Sequence, residues 1–134
     1  EKILKGDYAF LLYSPHSLCR EFYIECTCNM MRPRTIVDYE RIPWILDAGT
    51  VRITFDSDVR AAIGSYDIFD TGLPALSVLE PGKLILEVKF TEMLPQLLRD
   101  VLPPPAAEFT AVSKYVLCYE KTRYMNGFEY WYET

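Results

Sequence analysis

The sequence predicts an α+β fold in which an antiparallel sheet packs against helices. Helical periodicity dominates both ends of the chain, and strand-like alternation dominates its middle. The connections between the predicted strands are mostly too short for repeated βαβ crossovers, which favours antiparallel pairing. The 134 residues amount to one domain at most, and the balance of 50% hydrophobic and 25% charged residues is that of an ordinary globular protein.

The N-terminal region, residues 7–31, is predicted to be helical. Asp7 is expected to cap a short helix that runs through Leu12. Ser14-Pro15 then marks the start of a second helix, because proline suits a first helical turn. In this second helix an i+4 spacing predicts a core-facing stripe of Leu18, Phe22, Cys26 and Met30.

Three strands are predicted in the middle of the chain from β-branched and aromatic content and from alternation. They are Thr35 to Trp44, Val51 to Asp56 and Leu84 to Phe90. Turn signals precede the second and third strands, at Ala48-Gly49-Thr50 and at Glu80-Pro81-Gly82-Lys83. Residues 57–79 are expected to be irregular, with short extended pieces around Tyr66 to Phe69.

The C-terminal third is predicted to return to helix. Leu94 to Leu102 has an amphipathic pattern, and the run Pro103-Pro104-Pro105 ends it and is typical of a stiff extended connector. A last helix is predicted from Thr110 to about Tyr124. The aromatic tail, Phe128 to Tyr132, is expected to add a strand or to pack on the surface.

Charge and cysteine content exclude several function classes. A net charge of -5 and a pI near 4.9 argue against nucleic-acid binding, although they permit a small basic patch inside a pocket. The four cysteines lack zinc-ligand spacing and His16 is the single histidine, so buried free thiols in a reducing cytoplasm are expected rather than a Cys/His metal site. No signal peptide and no membrane-spanning run are recognised, and the start at Glu1 is interpreted as that of a fragment.

Strand alternation places charged side chains together on one face of the predicted sheet. The side chains that share a face are Tyr39 and Arg41 in the first strand, Arg52, Thr54 and Asp56 in the second, and Glu87 and Lys89 in the third. We therefore expect one apolar face that helices cover and one polar face. The polar face would carry Arg41, Arg52, Glu87 and Lys89.

This pattern alone leaves two interpretations open. A solvated face with interchangeable polar residues is what antiparallel sheets usually show. The alternative is a concave anion site, in which Arg41, Arg52 and a lysine neutralise phosphate oxygens and arginine forks bind them bidentately. Glu87 would then hold a hard divalent cation that bridges those oxygens.

Four segments resemble successive signatures of the vacuolar transporter chaperone (VTC) domain, in the family's order and spacing. They are Asp38-Tyr39-Glu40-Arg41, Val51 to Asp56, Leu86 to Phe90 and Ser113-Lys114-Tyr115. The opening Lys5-Gly6-Asp7-Tyr8 and the helix at Leu94-Pro95 match as well, so the resemblance runs from the start to about Cys118. It identifies residues 1–134 as the C-terminal portion of a polyphosphate polymerase domain, within the CYTH-like triphosphate tunnel metalloenzymes.

The resemblance implies an antiparallel β-barrel tunnel with helices on its outer face. The best-known members of the family transfer the terminal phosphate of ATP to a polyphosphate chain with a divalent metal, Mn²⁺ or Mg²⁺. Matched residue by residue, the implied catalytic residues that contact phosphate are Arg41, Arg52 and Lys114. The further substrate-binding residues are Tyr39, Lys89 and Ser113, and the metal ligand is Glu87.

The chain also departs from the family pattern. From the resemblance, the N-terminal half of the tunnel is expected to be missing from this chain. The chain alone is therefore expected to be an incomplete catalyst, and a second copy is expected to close the half-barrel. Ala111 and Val112 stand where many members carry a basic residue. ATP and polyphosphate are the expected partners, without nucleic acid or membrane insertion. The rival hypotheses are a tunnel triphosphatase, a non-catalytic phosphate-binding module and a structural interaction domain.

Overall fold

The computed structural model describes residues 1–47, 50–102, 104 and 107–125. Its elements are a short 3-10 helix (Ala9–Tyr13), α1 (Ser17–Thr27), β1 (Val37–Leu46), β2 (Val51–Ala62), β3 (Ala75–Ser77), β4 (Ile85–Lys89), α2 (Gln96–Val101) and α3 (Lys114–Thr122). The predicted α+β class with an antiparallel sheet is confirmed. Most of the predicted turn at 48–50, most of the proline run at 103–105 and the whole aromatic tail at 128–132 lie outside the described residues.

The N-terminal helices pack against each other around a small core. Tyr8, Leu11 and Cys26 are buried there, with Phe22 packed against them. Two N-terminal predictions are wrong. Tyr8 precedes the 3-10 helix without a side-chain cap, so Asp7 does not cap it.

The second wrong prediction concerns the ends of the i+4 stripe. Leu18 is 72% exposed and Met30 is 60% exposed, whereas Phe22 and Cys26 in the middle of the stripe do pack. Met30 lies beyond the end of α1 with a φ of 53°, so it no longer shares the helical face.

Strand β2 is longer than the alternation predicted and forms the centre of the sheet. It pairs with β1 along one edge, and its other edge is divided between β4 and β3. Arg52 to Asp56 pair with β4, and Arg60 to Ala62 pair with β3. Residues 57–62 and 75–77, predicted to be irregular, are therefore strand. Over the described residues the sheet is open and does not form a barrel.

A β-bulge in β2 explains why the alternation is lost after Asp56. The pairing of β1 with β2 shifts register between Asp38 and Glu40, and Asp58 takes a φ of 48°, which aspartate tolerates better than most residues. Arg41 pairs with Asp56 and Val37 with Ala61 on one face of β1. The bulge therefore keeps Asp56 and Ala61, five residues apart, on the same face of the sheet.

Helix α3 packs on the polar face, which corrects the expectation that helices cover the apolar face. Cys118 on α3 is buried against Val59 and Ala61, and its Sγ lies 3.4 Å from the carbonyl oxygen of Arg60. On the apolar face, Ile42 and Trp44 are 59% and 64% exposed. The helix thus covers the apolar half of the face that also carries the charged residues.

The burial of the cysteines agrees in part with the prediction of buried free thiols. All four cysteines are free; Cys26 and Cys118 are buried as predicted, whereas Cys28 is exposed. Among the described residues, no helix combines the length and the apolar character needed to cross a membrane.

Candidate functional site

The polar face of the sheet forms a pocket where β1, β2 and β4 lie side by side. Arg52 pairs directly with Lys89, and Thr54 pairs directly with Glu87. The residues that line this pocket are Arg41, Arg52, Thr54, Glu87 and Lys89. Five of the side chains that strand alternation assigned to the polar face are therefore brought together.

Next to this pocket lies a fully buried carboxylate, that of Asp56, which contacts two of the predicted site residues. Arg41 donates to it through two nitrogens, with Nε 2.6 Å from Oδ1 and Nη2 2.7 Å from Oδ2. Lys114, at the first turn of α3, donates from Nζ to Oδ2 at 2.7 Å. One carboxylate thus links β1, β2 and α3 through charge-assisted hydrogen bonds, which are stronger than neutral ones.

These contacts keep the cluster ionised. The pKa of Asp56 is lowered from 3.8 to about 2, mainly by the hydrogen bonds from Arg41. Burial opposes this shift, and the hydrogen bond from Lys114 adds to it. The hydrogen bonds to Asp56 raise the pKa of Arg41 further above its usual value. Asp56 and Arg41 therefore carry opposite charges throughout the physiological pH range.

Tyr39 completes the cluster by presenting its ring to both cations. The guanidinium carbon of Arg41 lies 5.0 Å from the ring centroid, and Nζ of Lys114 lies 5.2 Å from it. Cations over an aromatic face within about 6 Å are attracted by the ring quadrupole. Tyr39 and Asp56 together hold Arg41 and Lys114 in place, and we refer to these four residues as the Asp56 cluster.

Arg52 differs from Arg41 in that it is exposed and, among the described residues, forms no ion pair. Its guanidinium is therefore available to a ligand in the pocket. Counted together, the pocket and the Asp56 cluster contain four cations and two carboxylates. The site as a whole has a surplus of positive charge, which suits an anion with several oxygens.

Glu87 faces the same pocket and forms an ion pair with Lys89. The two side chains lie 2.9 Å apart, with 37% of the glutamate side chain exposed. The hydrogen bond from Lys89 is the chief cause that lowers the pKa of Glu87, and the charges of Lys114 and Arg41 add to the shift. Glu87 is therefore an ionised, partly accessible carboxylate.

A divalent cation fits this carboxylate only if other ligands come from outside the protein. Both oxygens of Asp56 are occupied by Arg41 and Lys114. Among the described residues, no three His, Cys, Asp or Glu side chains lie close enough to hold a metal ion together. Glu87 fits the way Mg²⁺ is commonly bound, by one or two carboxylates with the remaining positions taken by water and phosphate oxygens.

Ser113 and Lys114 have distinct local roles. Ser113 is the N-cap of α3, and its Oγ accepts a hydrogen bond from the backbone nitrogen of Val116 at 3.3 Å. Capping starts the helix at Lys114, whose side chain then reaches Asp56. Lys114 is thus placed beside the pocket. Ser113 lies next to it at the helix N-terminus, where anions are favoured.

Two residues of the site, Asp56 and Thr54, were given no role by sequence reasoning. Strand alternation placed both on the polar face with Arg52. Their burial, 0% and 3% exposed, was not predicted. At Asp56 the contact comes from Lys114 on α3, far along the chain. The available signal was spacing, because Asp56 follows Arg52 by four residues and a strand places both side chains on the same face.

Comparison with known families decides the assignment. The family model of the VTC domain matches residues 9–123, which include all the residues of the site. The chain belongs to the VTC domain family. A search of curated proteins gave no match, and a search of solved structures gave none. Membership of the VTC family connects the chain with polyphosphate in general, and the pocket described above belongs to this VTC domain.

Proposed function

We propose that this VTC domain binds the phosphate chain of ATP and of polyphosphate, and that in the complete catalyst it transfers the terminal phosphate of ATP to the polymer. The observation that carries the proposal is the convergence of Arg41, Arg52 and Lys89 with Glu87 in one pocket. A solvated sheet face gives no reason for Arg41 to be held by a buried carboxylate.

Phosphoryl transfer suits such a site because it needs little covalent chemistry from the protein. The transferred group carries charge on its oxygens, and catalysis depends on positioning and on neutralisation of that charge. Arg52 and Lys89, which have exposed side chains, would bind successive phosphate groups. Arg41 and Lys114, held by Asp56, would present a pre-oriented cationic surface that needs no rearrangement when the phosphate chain binds.

Ser113 and Tyr39 have supporting roles in this proposal. Ser113 would donate its hydroxyl hydrogen to phosphate while its oxygen caps α3. Tyr39 would line the site and keep the two cations oriented. Glu87 would hold Mn²⁺ or Mg²⁺. When bound, the metal would neutralise charge on the phosphate oxygens.

At the level of fold, we propose that the sheet is part of a triphosphate tunnel. Enclosure in a tunnel strengthens each cationic contact, because the surrounding protein has a lower dielectric constant than water. A second candidate function, non-catalytic binding of polyphosphate, is favoured by the open sheet, since an open site exposes bound phosphates to water. The two functions share the same anion-binding residues.

Binding and turnover are tested separately. Titration calorimetry with inorganic tripolyphosphate should show binding to the 134-residue chain, and Arg52→Gln should weaken it by about tenfold, the effect of losing one charged hydrogen-bonding partner. Arg99→Gln is the matched control, because Arg99 is an exposed arginine on α2 that does not line the pocket. Equal affinity for all three proteins, or no binding, would refute the proposal.

Turnover is assayed in the complete catalyst rather than in this chain alone, with ATP and Mn²⁺, by electrophoresis of the products. A ladder of polymers indicates the polymerase, and release of free phosphate alone indicates the tunnel triphosphatase. Binding of tripolyphosphate without either product favours the non-catalytic module. A protein that binds neither tripolyphosphate nor metal would support the structural interaction domain.

A further inference from the structure

Thr54 lines the pocket, and its hydroxyl has no partner within the part of the chain that the structure describes. Its side chain is 3% exposed, and Oγ1 makes no hydrogen bond to any described residue. It stands between Arg52 and Asp56 along β2 and directly opposite Glu87 on β4. A buried hydroxyl without a partner is destabilising, so a valine of the same shape would suit an apolar site better.

The groups around Thr54 leave the hydroxyl free to donate to a ligand. The two oxygens of Asp56 accept from Arg41 and Lys114, and Oε1 of Glu87 accepts from Lys89. On β1 the residue opposite Thr54 is Pro43, whose side chain has no polar atom. The hydroxyl therefore has no acceptor among the described residues, and it belongs to a side chain that lines the pocket a ligand would enter.

The charge around the pocket indicates what that ligand is. Cations outnumber carboxylates in the site, so the group that enters is an anion. A hydroxyl donates to an anionic oxygen through a charge-assisted hydrogen bond, which is stronger than a bond between neutral groups. Thr54 lies next to Arg52 on β2, so one anion can contact both residues.

We infer that the Thr54 hydroxyl donates a hydrogen bond to an oxygen of the phosphate chain bound in this pocket, which makes Thr54 a substrate-binding residue. This inference rests on the proposed function, because it takes the bound anion to be a phosphate chain. The hydroxyl would contribute a short, neutral donor at a depth that the longer cationic side chains do not occupy.

The test compares Thr54→Val, which keeps the shape and removes the donor, with Thr54→Ser, which keeps the donor. Affinity for inorganic tripolyphosphate is measured by calorimetry with EDTA present, so that no divalent metal contributes. We expect Thr54→Val to bind about tenfold more weakly than the parent chain, and Thr54→Ser to bind within about twofold of it. Thermal unfolding should show Thr54→Val at least as stable as the parent, since an unpaired polar group is removed.

Thr35→Val is the matched control, because Thr35 also has a buried hydroxyl that finds no partner among the residues described, but it does not line the pocket. It should leave tripolyphosphate affinity unchanged. If Thr54→Val does not fold, Thr54→Ala against Thr54→Ser makes the same comparison.

The outcomes separate this inference from the proposed function. Thr54→Val that binds like the parent chain, while Arg52→Gln binds more weakly, overturns the inference alone. If Thr54→Val and Thr54→Ser lose the same affinity for tripolyphosphate, the inference is also overturned, because packing rather than the hydroxyl donor would then decide affinity. A parent chain that does not bind tripolyphosphate overturns both.

Discussion

Replacement of Asp56 by asparagine removes the carboxylate that joins β1, β2 and α3 at the site. The side chain keeps its size but loses its charge, so Arg41 and Lys114 are left together without a counter-ion. We expect Asp56→Asn to lower the free energy of unfolding strongly at pH 7. It should also weaken tripolyphosphate binding, because the two cations lose their fixed orientation.

The size of the destabilisation follows from the pKa of Asp56. A fall from 3.8 to about 2 is nearly two pKa units, which corresponds to about 2.5 kcal/mol of stability when the group is ionised. Removal of one partner from a buried ion pair costs about 3–5 kcal/mol. Arg41 and Lys114 remain 29% and 19% exposed and can be rehydrated in part, which favours the lower end of this range. We therefore expect a loss of about 2–3 kcal/mol.

The pH dependence has a definite sign. Because the folded state lowers the pKa of Asp56, its contribution is complete above about pH 5 and is lost as the pH falls from about 4 towards 2. Arg41 remains positive over this range, because the hydrogen bonds to Asp56 raise its pKa. Glu87 titrates nearby but is present in both proteins, so it largely cancels when the parent and the variant are compared.

Urea denaturation followed by circular dichroism, from pH 7 to pH 2.5, measures both the loss of stability in Asp56→Asn and its dependence on pH. Asp58→Asn is the control, because Asp58 is a half-exposed carboxylate on the same strand whose contact with Arg60 is long, at 3.5 Å. It should change stability by less than about 0.5 kcal/mol. The reasoning is refuted if Asp56→Asn lies within about 0.5 kcal/mol of the parent at pH 7, or if their difference does not narrow below pH 4.

Two further predictions concern Lys89 and Ser113. Lys89→Met removes the ion-pair partner of Glu87. Calorimetry should therefore show that the variant binds Mn²⁺ alone a few-fold more tightly and tripolyphosphate several-fold more weakly. Changes of the opposite sign would contradict the roles assigned to Lys89 and Glu87. Ser113→Ala removes the N-cap of α3, so urea denaturation should show that the free energy of unfolding falls by about 1 kcal/mol. Ser113→Thr keeps a capping hydroxyl and should lose much less. An equal fall in both variants would show that capping is not the cause.

The part of the site that the sequence could predict depends on local geometry. Side chains alternate along a strand whatever surrounds it, so Arg52 and the pair Glu87 and Lys89 could be assigned to a face from their spacing alone. The antiparallel arrangement then brought the two strands into register. The α+β class followed from the same patterns, because it requires only the type and order of the elements.

The rest depended on contacts between distant residues. The bulge at Asp58 restores the face shared by Asp56 and Ala61, and no local pattern announced it. The position of α3 is set by Lys114 and Cys118, each of which contacts a residue 58 positions earlier in the chain. Alternation therefore identified a polar face but could not show that part of it is buried.

The buried carboxylate also explains how an acidic chain can hold an anion site. The net charge of -5 is a sum over the whole chain, and at physiological salt charges are screened beyond about 8 Å. The contacts in the pocket are much shorter than this distance, so the local surplus of cations decides whether an anion binds. Asp56 lowers that surplus by one charge, but it fixes two cations at 2.6–2.7 Å from its oxygens. An anion that enters the pocket therefore meets donors that are already ordered, and binding does not have to offset the entropy of fixing two long side chains.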